Sequence, residues 1–166
     1  MATEDNLKEA FAGESQANRR YLAFAKKADA EGKPGIARLF RAAAAAETVH
    51  AHAHLRVLGE VKSTAENLKA AVEGESYEFK SMYPDFAKEA QAEGNKAALA
   101  SIQNAMAVEQ VHAGLFGEAA EALAEGGDMP DSTIYVCSIC GNTVIGEAPD
   151  TCQVCGASKN KFESVE

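Results

Sequence analysis

Between residues 4 and 125 apolar side chains return every three to four positions, the period of a helix with one face turned to a core. The pattern breaks at Gly32-Lys33-Pro34, at Gly59 to Thr64 and at Gly94-Asn95. Glycine accepts the left-handed turn that closes a helix, and proline lacks the amide a helix interior needs, so each break reads as a helix end. Four long helices are predicted. The periodicity stops at "GGDMPDST" (126–133), and the short remainder holds "IYV" and every cysteine of the chain. A linker and a small metal-stapled β module follow. The expected class is an all-α four-helix bundle, residues 1–126, with a small C-terminal metal-bound β module, residues 133–166.

The helical part repeats itself. "LKEAFAGES" (7–15) matches "LKAAVEGES" (68–76) at an offset of 61 residues, whereas Tyr21 with Tyr83, Phe24 with Phe86, Glu47 with Glu109 and His50 with His112 all match at 62. One residue is therefore inserted between Ser76 and Tyr83, and a helix absorbs one extra residue most easily as a π-turn. Pro84 suits such a turn, since its missing amide already frees the carbonyl four residues earlier.

The repeat carries its chemistry on heptad stripes. Leu7, Glu14, Tyr21 and Ala28 share one stripe, and Ile102, Glu109, Phe116 and Leu123 another. Glu47 lies between Phe40 and His54 at the same spacing, and Glu75 follows Leu68. Each helix thus points a glutamate inward. Uncompensated buried carboxylates are costly, and no Lys or Arg occupies these stripes, which leaves bound cations. A single Glu-x-x-His is weak evidence, because an exposed polar pair looks the same. Two copies at equivalent places in a duplicated helix pair, with one further glutamate from each remaining helix, form the ligand set of dinuclear iron or manganese bundles. The candidate ligands are Glu14, Glu47, His50, Glu75, Glu109 and His112. Glu78, near the inserted residue, is a spare ligand or a solvated glutamate. Tyr21 and Tyr83 serve equally as core aromatics or as hydroxyls that bond a ligand carboxylate. His54 is matched by Phe116 in the repeat and reads as a packed histidine rather than a ligand; His52 reads as solvated.

"CSICG" (137–141) and "CQVCG" (152–156) form C-x2-C-x11-C-x2-C. Two thiolate knuckles, each followed by a glycine that permits a tight turn, close a tetrahedral four-sulfur site for Fe or Zn. Spacing does not choose between the metals, and a structural zinc ribbon is the plain alternative.

Charge narrows the function. With 16 basic and 25 acidic side chains the net charge is -9, which repels nucleic acid and anionic membranes. The longest purely apolar run is Ala42 to Ala46, too short to span a bilayer, and "MATEDNLKEA" has no signal-like region. A soluble, cytoplasmic protein is expected, where cysteines serve as metal ligands rather than disulfides.

The residues quoted so far, together with "FAGESQANRRY", "AETVHAH", "EGESYEFKSMYPDFAKEA", "VEQVHA" and "YVCSICG", make the chain resemble the rubrerythrins over nearly its whole length. That family joins a ferritin-like diiron bundle to a rubredoxin-like module. The resemblance implies two irons held by Glu14, Glu47, Glu75, Glu109 and His112, with Glu78 and His50 exchanging as ligands of one iron as its oxidation state changes. A physical reason exists: the ferric pair favours an anionic carboxylate, whereas the ferrous pair accepts a neutral imidazole. The resemblance also favours iron over zinc at Cys137, Cys140, Cys152 and Cys155; zinc is kept as a substitute in either site. Ser138 and Gln153 depart from the family, whose knuckles often carry proline there. The expected activity is a peroxidase that reduces hydrogen peroxide with electrons relayed from rubredoxin or an NAD(P)H-dependent reductase, in oxidative-stress defence, with Glu78, His50, Tyr21 and Tyr83 at the reacting centre. The alternative is a ferroxidase, an iron-handling protein.

Chain length adds an expectation about assembly. If helix two continues to about Gly59 it rises roughly 18 Å past Glu47, and helix three, starting near Asn67, descends only roughly 12 Å to Glu75. A ferritin-like bundle then needs the connector to return about 30 Å, more than the roughly 25 Å that seven residues reach. A homodimer that swaps helix pairs 1–2 and 3–4 between chains removes the conflict, as would an early end to helix two.

Overall fold

All three predicted breaks end helices. The computed structural model describes residues 1–165, in which α1 (Ala2–Ala30), α2 (Pro34–Leu58), α3 (Thr64–Tyr77), α4 (Tyr83–Ala92) and α5 (Lys96–Ala124) precede three short strands. A π-helical segment, Glu78–Met82, joins α3 to α4, so they form one rod and the four expected helical rods are present. The π segment falls where the repeat gains its extra residue, and the Tyr83 amide donates to the Glu78 carbonyl five residues back. The chain forms two compact units, one of residues Met1–Lys62 and one beginning at Ser63.

The first unit is the α1–α2 hairpin. Its seam is made of small residues a heptad apart, Ala37, Ala44 and Ala51 on α2 facing Asn18 and Ala25 on α1, all buried. Alanine lets the two backbones approach closely. Asn18 clips them together, its Nδ2 donating to the Ala44 carbonyl at 2.7 Å and to Thr48 Oγ1 at 2.9 Å. Tyr21, Phe24 and Phe40 form an aromatic cluster, with ring centroids 5.5 Å apart for the last two. The glutamate stripe runs beside this seam rather than in it, and Phe24, Ile36 and Leu39 stay exposed in the hairpin.

The second unit packs the α3–π–α4 rod on α5. Ser63 and Glu66 form a reciprocal capping box at the start of α3, and Asn95 Oδ1 accepts the Ala98 amide at the start of α5. The interhelical turn reproduces that of the hairpin. Gly32 and Gly94 share φ of +69°, and Lys33 N to Ala28 O at 2.8 Å is repeated 62 residues on by Asn95 N to Ala90 O at 2.9 Å. The duplication therefore survives in turn geometry as well as in sequence.

The same unit carries β1 (Ile134–Cys137), β2 (Thr143–Ile145) and β3 (Phe162–Val165), an antiparallel sheet of order β2-β1-β3. Tyr135 pairs with Val144 on one side and Ser164 on the other. Cys137, Ala148, Cys152 and Phe162 form its small core. The module rests on α5, where a side chain at Gly141 would meet buried Val108. Among the described residues no helix is long and apolar enough to cross a membrane.

Candidate metal centres

Among the described residues three groups of metal-ligand side chains lie close enough to hold an ion: Glu14, Glu47 and His50; Glu75, Glu109 and His112; and the four cysteines. The first two are the two copies of the repeat. In each, the i, i+3 spacing on one helix sets the histidine over its glutamate, with His50 Nδ1 at 2.9 Å from Glu47 Oε2 and His112 Nδ1 at 2.8 Å from Glu109 Oε2. The neighbouring helix adds one carboxylate to each cluster, Glu14 from α1 and Glu75 from the rod. Glu14 Oε1 lies 3.8 Å from His50 Nδ1.

The electrostatics of the two copies differ. The hydrogen bond from His50, followed by that with Glu14, holds Glu47 below the usual carboxylate range. Glu75 is pushed the other way, first by burial and then by the charge of Glu109. Glu78 is also raised, by burial and by Glu109. Two carboxyls driven upward beside a third have the chemistry of a cation site, because a divalent ion among them removes the repulsion that raises them.

Glu78 itself is not gathered into either three-residue cluster, although the charge of Glu109 reaches it. The phenol of Tyr83 is held protonated, by burial first and then by Glu78, Glu109 and Glu75, so its hydroxyl faces the carboxylates' field. Tyr21 packs among Phe24 and Phe40 as a core aromatic. Among the described residues His52 and His54 join no cluster.

The four cysteines carry no disulfide. Cys137 Sγ lies 3.7 Å from Cys155 Sγ, and Cys140 Sγ 3.7 Å from Cys152 Sγ. Metal–sulfur bonds of about 2.3 Å in a tetrahedron place sulfurs about 3.8 Å apart, so the cage already has the size of a metal-filled one. The two knuckles are built alike. Gly141 and Gly156 have φ of +89° and +74°, Gly141 N donates to Cys137 O at 2.8 Å, and Gly156 N donates to Cys152 O at 3.0 Å. Burial is the largest influence on Cys140 and pushes its thiol up to about 12. Burial also opposes ionisation of Cys152, but the amides of Cys155 and Val154 and the other thiols outweigh it and bring this thiol down to about 7. The Cys152 sulfur is thus ready to ionise, whereas Cys140 needs the ion's charge. Ser138, where the resemblance leads one to expect proline, donates both its amide and its hydroxyl to the Lys161 carbonyl, at 2.7 and 2.9 Å. A proline could make neither bond.

One contact was not anticipated by the spacing of any motif. Thr143 Oγ1 lies 2.9 Å from His112 Nε2, and also 3.2 Å from the Gly141 carbonyl oxygen. A mostly apolar cavity of about 370 Å³ lies beside it, walled by Leu115, Phe116, Met129 and Ile145.

Comparison with known proteins gives a family for both parts of the chain. The family model described as Rubrerythrin matches residues 5–120, and that of the Rubrerythrin, rubredoxin-like domain matches residues 135–163. The chain is 34% identical to Rubrerythrin-2 of Clostridium acetobutylicum, over 98% of this chain and 96% of that protein. It is 36% identical to Nigerythrin of Nitratidesulfovibrio vulgaris, over 97% and 85% of the two. A solved nigerythrin in its fully reduced, all-ferrous state superposes with a TM-score of 0.60 at 35% identity, covering 98% of this chain and 86% of that one.

Proposed function

The chain belongs to the rubrerythrin family, and from that premise and the chemistry of its centres we propose that it is a diiron peroxidase that reduces hydrogen peroxide to water in the cytoplasm. Family membership implies iron in both kinds of centre. Two electrons and two protons turn one peroxide into two waters; Glu14, Glu47, Glu75, Glu109 and His112 would hold the iron whose chemistry would supply the electron pair, and Cys137, Cys140, Cys152 and Cys155 would hold the iron that would restore it one electron at a time. Residues 1–126 hold the reacting centre and residues 133–166 the relay.

The chain's own residues handle binding and protons. Glu78, whose carboxyl burial raises in the metal-free protein, is the carboxyl assigned to deliver the protons. Tyr83 presents a protonated hydroxyl to the same carboxylates and orients them. Tyr21, a heptad from Glu14 on the same stripe of α1, packs against Phe24 and Phe40 and is assigned to the reacting centre with Tyr83. His50 is assigned to exchange with Glu78 as a ligand of one iron. Electrons come from a rubredoxin or an NAD(P)H-dependent reductase.

The observation that carries this reading is the module's direct hydrogen bond to a residue of the carboxylate centre, Thr143 to His112. An iron-storage protein, oxidising with O2, has no use for a relay fastened to its centre. Stopped-flow mixing of reduced protein with peroxide tests it. The centre is expected to be oxidised by peroxide much faster than by O2, and the reverse order rejects the assignment.

We further propose a homodimer that swaps its helix pairs. Helix α2 runs on to Leu58 and α3 begins at Thr64, so Glu47 and Glu75 each lie eleven residues from the connector. A parallel arrangement of α2 and α3 around one site then needs the connector to return about 33 Å. The six steps from Leu58 to Thr64 reach about 21 Å. Thin alanine packing in the first unit, with Phe24, Ile36 and Leu39 exposed, supports a further helix pair covering it.

A further inference from the structure

The two copies of the Glu-x-x-His motif are not held alike. His112 is engaged on both ring nitrogens, Nδ1 by Glu109 Oε2 at 2.8 Å and Nε2 by Thr143 Oγ1 at 2.9 Å. His50 meets Glu47 and Glu14 through Nδ1, and among the described residues no hydrogen bond reaches its Nε2. The difference comes from the β module, which supplies Thr143 at the first position of β2.

Proton counting shows what that hydroxyl does. Threonine has one proton to donate, and the Gly141 carbonyl, 3.2 Å away, can only accept. A hydroxyl that donates to Gly141 offers Nε2 a lone pair, so Nε2 carries the ring hydrogen. Nδ1 is then the lone-pair side of the imidazole, and it points at a carboxylate oxygen. Two acceptors at 2.8 Å repel unless a cation stands beside both. In the opposite tautomer Nδ1–H donates to Glu109 and Thr143 turns away from Gly141 to donate to Nε2. That arrangement closes the site, because no lone pair remains on Nδ1.

We propose that Thr143 is a positioning residue that selects the metal-binding tautomer of His112, so that the docked cysteine module tightens the metal affinity of the carboxylate centre. The chain of contacts is continuous: His112 Nε2, Thr143 hydroxyl, Gly141 carbonyl, and from the same glycine an amide bonded to Cys137 O at 2.8 Å. Folding of the knuckle places Gly141, Gly141 orients the hydroxyl, and the hydroxyl fixes the imidazole. Partners of this kind set ligand tautomers in metal sites generally. The proposal rests on His112 being a metal ligand.

The test uses the full chain with iron in the cysteine cage and zinc titrated into the carboxylate centre against a chelator, together with nitrogen-15 NMR of His112. Zinc on Nδ1 with hydrogen on Nε2 is expected in the unaltered chain. Thr143→Val should weaken zinc binding at this centre by about tenfold or more, the usual consequence of losing such a partner. Thr143→Ser should restore it, and the visible spectrum of the cysteine iron should not change in either variant. Zinc on Nε2 in the unaltered chain, or a Thr143→Val chain that binds zinc as tightly as the unaltered one, overturns the proposal. His112→Ala separates the two failures: if it loses zinc while Thr143→Val does not, the ligand reading stands and the role of Thr143 falls; if it keeps zinc, both fall.

Discussion

The amide of Tyr83 donates to the carbonyl of Glu78, and this five-residue bond sits where the internal repeat slips from an offset of 61 to one of 62. The equivalent stretch of α1 is plain α-helix, so the inserted residue is not needed to make a rod. Its effect is local, bringing Glu78 within the field of Glu109 while α4 keeps its packing on α5. Deleting Ser81 restores an uninterrupted α-helix. The protein should stay helical by circular dichroism and keep its cysteine iron, while peroxide turnover falls by about a hundredfold, the lower end of what a positioned proton donor contributes. Unchanged turnover in the deletion would remove Glu78 from the chemistry.

The raised pKa of Glu78 has a consequence for the metal-free protein. A carboxyl whose folded value lies above its unfolded value binds more protons when folded, so its contribution to stability is present at low pH and is lost as pH rises through the folded value. Glu78→Gln removes that loss. The metal-free variant should therefore melt at a higher temperature than the unaltered protein at pH 7, and the gap should close as pH falls to about 4, near the ordinary carboxylate value. Thermal melts across that range decide it; a gap that does not depend on pH means the charge of Glu78 is not what the variant relieves.

Removing the metal from the cysteine cage should unfold the β module and leave the helices. The module's buried core is Cys137, Ala148, Cys152 and Phe162, and two of those four are candidate ligands. A unit of about thirty residues does not bury enough apolar surface to fold unaided. Cys140→Ser with chelation is expected to erase the amide signals of β1 to β3 in NMR spectra while helical circular dichroism changes little. Persistence of the Tyr135–Val144 pairing without metal would show a core stronger than its composition suggests.

Helix ends, the π segment and the two metal-ligand motifs were legible in the sequence because each rests on local chemistry. Glycine and proline mark chain reversals, a one-residue slip in a repeat has few helical solutions, and i, i+3 or C-x2-C spacing fixes side chains on one turn. What escaped was set by contacts between elements distant in sequence. Asn18 gave no pattern to read, since its repeat partner is not an asparagine, yet it pins α1 to α2 at Ala44 and Thr48. The seam of Ala37, Ala44 and Ala51 was hidden because alanine helices look uniform around their circumference. Thr143 lay in a strand with no motif of its own, and only the docking of β2 on α5 brings it to His112.

The swapped dimer can be decided by complementation. If each carboxylate centre takes Glu14, Glu47 and His50 from one chain and Glu75, Glu109 and His112 from the other, the variants Glu47→Ala and Glu75→Ala are each inactive as homodimers but place both substitutions in the same centre when mixed. In the heterodimer one centre receives both substitutions and its twin receives none. Co-expressed, separately tagged chains purified as heterodimers should then show about half the unaltered activity per dimer, with one diiron centre by iron analysis, because effects at independent sites do not compound. In an unswapped dimer each centre carries one substitution and mixing restores nothing. Lengthening the connector between Gly59 and Ser63 by about ten flexible residues gives the converse: the added reach, roughly 30 Å, lets one chain close its own site, and the dimer should give way to an active monomer on sedimentation. A heterodimer as inactive as its parents would reject the swap and require α2 to release its last turns to make the crossing.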